Sequence, residues 1–162
     1  MLMVLYIRQK VFTLGDKYHV YNENLQPVFT VQGRLFSLGA KIHVYDMTGQ
    51  ELYFISQKLF RFLPEYHIYT GDLLCAIIKK EFTFFRPRLS IQSQYGDYTI
   101  EGNLFGMDFA IFHDGQPVGE IHKKWFSFGD SYELIVHDPN NAAFFSTLVI
   151  AIDHCLHNED RR

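Results

Sequence analysis

Residues 34–45 read RLFSLGAKIHVY. The same pattern stands 24 residues earlier, KVFTLGDKYHVY at 10–21, and 24 residues later, KLFRFLPEYHIY at 58–69. A fourth copy at 80–91 (KEFTFFRPRLSI) has lost the histidine, and a fifth at 124–135 (KWFSFGDSYELI) carries Glu133 in its place. Self-similarity at a fixed period marks a repeated supersecondary unit. Here the unit is a β-hairpin. In its first half the apolar residues alternate: Phe12 and Leu14, Phe36 and Leu38, Phe60 and Phe62, Phe126 and Phe128. This parity assigns them to the core. A short turn follows (Gly15-Asp16, Gly39-Ala40, Gly129-Asp130) and reverses the chain. In the second half Ile42 and Val44 share one face, and His43 and Tyr45 the other.

Extending this reading outward predicts twelve strands in up-and-down order, at about 3–14, 17–22, 27–38, 41–46, 51–62, 65–70, 73–84, 88–94, 97–104, 107–113, 117–128 and 131–137. So long a meander has exposed edges unless it closes, so the fold class is mainly β, an antiparallel closed barrel. Asp138-Pro139 reads as an N-cap followed by proline at the first helical position. The segment 142–152 is apolar nearly all round, so the helix must be buried on every side. A wide barrel is poorly filled by its own side chains. The C-terminal helix, at about 139–156, is therefore predicted to thread the barrel. Ser146 and Thr147 are expected to bond back to helix carbonyls. The polar residues from Asp153 onward are expected to leave the barrel. The chain reads as one domain, 1–157, with a polar tail at 158–162.

Composition is consistent with this. Of 162 residues 48% are hydrophobic and 17% aromatic, which excludes disorder and favours strands. The net charge of −3 gives no global footprint for nucleic acid. No apolar run reaches the ~20 residues of a spanning helix, and residues 1–7 lack the features of a signal peptide. Cys75 and Cys155 form no CxxC pair. A cytoplasmic location is expected.

The repeated KVFTLGDKYHVY-type units, the Asp46-x-x-Gly49-x-Glu51 turn, the Trp125-Phe126 unit and the apolar helix from Ala142 together resemble the LURP-one-related family. The likeness spans essentially the whole chain and is close to the small bacterial members. The resemblance implies the fold shared with Tubby C-terminal domains and phospholipid scramblases. Tubby domains bind phosphoinositides at a basic surface, and scramblases act at membranes. The resemblance thus implies a binding module for an anionic phospholipid headgroup or a protein partner at a membrane surface. Shared fold alone does not transfer function.

Candidate sites come from the residues. Arg86-Pro87-Arg88 with Lys79 and Lys80 is the densest basic run, and Arg forks match phosphate geometry. It is either a lipid or phosphate site or a solvated edge. Lys10, Arg34, Lys58, Lys80 and Lys124 precede the aromatics of each unit. Lys58 shares the parity of Phe60, which aims a charge inward unless a β-bulge, for instance at Gly33 in the second unit, re-aims it. The alternative is a basic ring in the wall, open to an anion. His19, His43 and His67 are expected outside, ~10 Å or more apart, too far for one metal. Asp153, His154, Cys155 and His157 carry ligand-type atoms without a second set of matching spacing. GxSxG, P-loop, GxGxxG, HExxH and EF-hand patterns are missing from the sequence. No catalytic residue, metal or cofactor is assigned. A non-catalytic binding module is the leading reading. The alternatives are a small-molecule binder or enzyme using a barrel rim, and a structural scaffold whose outer stripe is Tyr21, Tyr45 and Tyr69.

Overall fold

The computed structural model describes residues 1–8, 17–34, 38–81, 84–85, 88–126 and 129–157. The strands are β1 (Met3–Arg8), β2 (Lys17–Asn22), β3 (Pro27–Gly33), β4 (Lys41–Asp46), β5 (Glu51–Gln57), β6 (Glu65–Thr70), β7 (Leu73–Glu81), β8 (Arg88–Ser93), β9 (Gly96–Asn103), β10 (Asp108–His113), β11 (Gln116–Phe126) and β12 (Gly129–Val136). Each pairs antiparallel with its neighbours in sequence. Pairing of β1 with β12, from Met3↔Val136 to Arg8↔Ser131, closes the barrel. Closure pairs the first strand with the last, so neither terminal strand is left as an open edge.

Alternation sets the interior. Leu5, Val20, Val31, Ile42, Val44, Ile55, Ile68, Ile78, Ile91, Ile111, Ile121 and Leu134 are buried and line it. The helix α1 (Ala142–His157) fills it. Asp138 caps the preceding 3₁₀ turn, its side chain accepting from the Asn140 N–H at 3.0 Å, with Pro139 at the first position. Phe145, Leu148, Val149, Ala151 and Ile152 are all fully buried, as a helix without a polar face requires. Thr147 donates to the Ala143 carbonyl at 2.8 Å, the expected back-bond; the buried Ser146 hydroxyl has no partner among the described residues.

Three expectations need correction. The strand expected over 51–62 ends at Gln57, where the Lys58 N–H donates to the Glu65 carbonyl at 2.9 Å and the chain turns. Phe60 takes a left-handed φ of 60°, and Phe60 and Phe62 are exposed instead of buried. The reason is parity. Ile55 faces in, so Phe54, Lys58 and Phe60 do not share the core face. Lys58 therefore points outward without a bulge. Gly33 pairs with Ile42 in unbroken register, and the Arg34 N–H donates to the Lys41 carbonyl. The register shifts sit near the other end of the strands, at Val20/Tyr21, Val44/Tyr45 and Ile68/Tyr69 in the three histidine-bearing repeats and at Ile111/Phe112 in β10. Finally, the chain does not leave the barrel at Asp153. Asp153, Cys155 and Leu156 are buried in the last turns of α1, because the carboxylate finds partners inside. The first-half residues at 9–16, 35–37, 82–83 and 127–128 lie outside the described residues, as do 158–162.

Candidate functional site: the aromatic rim

In an up-and-down barrel the connections from odd to even strands share one end. That end carries Leu38 between β3 and β4, Leu59, Phe60 and Phe62 between β5 and β6, Phe84 and Phe85 between β7 and β8, Phe105 between β9 and β10, and Trp125 at the end of β11. All are exposed, Trp125 at 78%. Singly exposed apolar residues are ordinary, but a ring of large ones at one end is a surface feature that calls for a partner. The helix finishes at this end too: the His157 ring contacts the Phe105 carbonyl at 3.3 Å. It starts at the opposite end, where Phe144 packs edge-on to Tyr95.

Cations accompany the rim. Lys58 folds back along the outer wall, its ammonium 3.2 Å from the Tyr69 hydroxyl. Arg34 donates from Nε to His43 Nε2 at 3.0 Å and lies 5.5 Å from the Phe54 ring centre. Arg61, His67 and Lys79 converge on Glu65, at 3.6, 2.6 and 3.7 Å. Burial acts to raise the Glu65 pKa, but the His67 hydrogen bond and the nearby cations outweigh it and hold it below the ordinary glutamate value. Lys123 and Lys124 reach Asp130 and Glu133 at 3.6 and 3.8 Å.

The basic run expected to form a phosphate site is only partly brought together. Register sets Glu81 opposite Arg88 and Lys79 opposite Ser90, so Lys79 and Arg88 share the outer face. Lys80 lies opposite the buried Leu89 and belongs to the other face. Arg88 pairs with Glu81 at 3.4 Å on an exposed surface. Such exposed pairs contribute ~0–1 kcal/mol and yield readily to a competing anion. Arg86 lies outside the described residues.

The three repeated histidines lie half-buried on the outer wall, each with its own neighbour: His19 with Thr30 at 3.2 Å, His43 with Glu51, and His67 with Glu65. Because Arg34 donates to His43 Nε2, the His43 proton sits on Nδ1 and is donated to Glu51. Among the described residues no group of His, Cys, Asp and Glu is arranged to hold a metal ion.

Two cavities complete the picture. One of about 330 Å³ lies inside the rim, lined by Lys58, Phe60, Phe62, Tyr66 and Cys155 among others. A larger one, about 840 Å³, opens between β8 and β9. The sequence reading missed the rim because it gave the F-x-F positions to the core. The signal available was the parity of Ile55, which sets Phe54 and Lys58 outside.

Comparison with known proteins agrees with this architecture. The family described as LURP-one-related matches residues 3–153. The uncharacterized protein YxjI of Bacillus subtilis (strain 168) is 33% identical over 157 residues, covering 96% of this chain and 95% of that protein; it is a relative and not the same sequence. A protein from Arabidopsis thaliana solved by X-ray crystallography superposes with a TM-score of 0.68 at 15% identity, covering 94% of this chain and 90% of that one, a likeness of fold. The chain belongs to the LURP-one-related family.

Proposed function

We propose that this LURP-one-related barrel is a non-catalytic module that docks its aromatic rim on an anionic phospholipid surface. The observation that carries the reading is the placement of Phe60, Phe62, Phe84, Phe85, Phe105 and Trp125 at one end of the barrel, exposed and accompanied by Lys58, Arg61, Lys79 and Arg88. Aromatic rings favour the headgroup region, where an apolar body and a polar surround are both met. Each Lys or Arg held near an anionic leaflet adds ~1 kcal/mol. No helix among the described residues is long and apolar enough to cross a membrane. Of the basic run, Lys79 and Arg88, with Arg86 from the sequence between them, are the residues proposed for the headgroup phosphate, and Lys80, on the other face, is not. Lys79 and Arg88 are the two on the outer face.

The test is co-flotation with neutral and anionic vesicles at low and physiological salt. The reading expects binding to anionic vesicles that weakens with salt, and loss of it in the Arg86→Glu, Arg88→Glu double variant. Phe60→Ser with Phe62→Ser is expected to weaken binding as well. Equal flotation with neutral and anionic vesicles, or none with either, overturns the reading. Intact binding by the charge-reversed variant removes Arg86 and Arg88 from the site.

A further inference from the structure

We infer that the opening between β8 and β9 takes up an extended peptide segment of a partner protein as an added strand. The ladder between these strands runs from Ser93↔Gly96 to Ser90↔Thr99 and stops. Both strands continue past that point, β8 to Arg88 and β9 to Asn103. The next residues in register, Leu89 with Ile100 and Arg88 with Glu101, do not pair. Each keeps its other neighbour: Leu89 opposes Lys80 on β7, and Ile100 opposes Ile111 on β10. The barrel is thus splayed on one seam, and two strand edges face each other there. The cavity of about 840 Å³ occupies the gap. Leu89, Ile91, Tyr98 and Ile100 line it toward the core, and Arg88 and Glu101 toward solvent.

Two observations select the occupant. The first is the backbone. Facing edges of two strands offer N–H and C=O groups that need hydrogen-bonding partners once water is displaced. An acyl chain supplies none, whereas an extended peptide supplies both at every second residue. The second is charge. Asp97 and Glu101 line the cavity and have no ion-pair partner among the described residues, while Arg88 is held by Glu81. Two carboxylates without a paired cation favour Lys or Arg on the solvent side of the incoming strand. With the period of two along a strand, the fitting peptide alternates apolar with basic residues over four or five positions. The opening lies at the rim end of the barrel and shares Phe85 and Arg88 with it, but the inference rests on the unpaired edges of β8 and β9 and not on docking to lipid.

The experiment uses the whole chain and fluorescein-labelled decapeptides whose central five residues alternate Val and Lys. Matched peptides carry Glu for Lys, or Pro at the central position, and oleate serves as the lipid-chain probe. Binding is read by anisotropy and located by amide hydrogen exchange. The expected result is at least tenfold tighter binding of the Val/Lys peptide than of either control. It should also slow exchange of the Leu89, Ile100 and Gly102 amides, which face the gap and exchange fast in the free protein. In the Asp97→Lys, Glu101→Lys variant the preference should pass to the Glu peptide. The inference is overturned if those amides are already as protected as Tyr98 in the free protein. It is also overturned if the Val/Lys and Glu peptides bind alike or not at all, if protection falls elsewhere, or if oleate displaces the Val/Lys peptide.

Discussion

Inside the barrel the Tyr132 hydroxyl donates to the Asp153 carboxylate at 2.7 Å, joining β12 to the last turns of the central helix. The same carboxylate oxygen meets His157 Nδ1 at 2.9 Å one helical turn later. A carboxylate at this depth is tolerable only because both partners are present. Its charge also helps burial push the neighbouring Tyr18 hydroxyl far above the usual tyrosine range.

Asp153→Ala should therefore cost about 1–3 kcal/mol, since it strands the Tyr132 hydroxyl in the core. Tyr132→Phe should cost about as much, because it leaves the carboxylate short of a donor. Denaturant melts of both single variants and the double variant check this. A double-variant loss smaller than the sum of the singles is the expected sign of coupling.

His157 carries a pH dependence. Its hydrogen bond to Asp153 raises its pKa above 6.5, against the opposing effect of burial, and the Phe105 carbonyl adds to the rise. A cation at a helix C-terminus is favoured as well. The folded pKa is the higher one, so the stabilisation is fully present below the unfolded value and is lost as pH rises through the folded value. The stability difference between the native chain and His157→Gln should be larger at pH 5.5 than at pH 8.5. A difference independent of pH would show that His157 does not titrate with folding.

Gly119 on β11 faces the helix at a point of close approach. A Cβ there would stand 3.3 Å from two carbons of the Phe145 ring and 3.4 Å from the Ile135 carbonyl. Gly119→Val should destabilise by about 1–3 kcal/mol through overpacking. Thermal melts with Gly102 and Gly106 left intact measure it directly.

Ending the chain after Asp138 removes α1, and the lining residues then lose the surface they pack on. An aggregated or unfolded product is expected on size-exclusion chromatography. A soluble truncation that melts cooperatively would refute the central-helix account of stability.

The fold was legible because the 24-residue repeat and the non-polar helix are large, regular signals. Strand alternation at Ile42/Val44 named the interior, and the Asp138-Pro139 cap marked where the helix run begins. The rim was not legible from local pattern. Phe60 and Phe62 alternate like strand residues, yet the hairpin ladder closes at Lys58 and the left-handed Phe60 breaks the extended run. Composition places aromatics in a core, and only the register across β4, β5 and β6 shows these to be outside it. The β8–β9 opening was equally hidden, since loss of pairing on one seam is a tertiary property. The basic run at Lys79, Lys80 and Arg88 was visible, but not that Lys79 and Arg88 each meet a glutamate.

The chain holds a single tryptophan, Trp125, and it stands exposed on the rim. Its emission is therefore a direct reporter of where the barrel touches a membrane. Titrating anionic vesicles into the native protein should shift the emission to the blue, and brominated acyl chains should quench it; neutral vesicles should do neither. Flotation with anionic vesicles while the Trp125 spectrum stays unchanged would contradict docking through this rim.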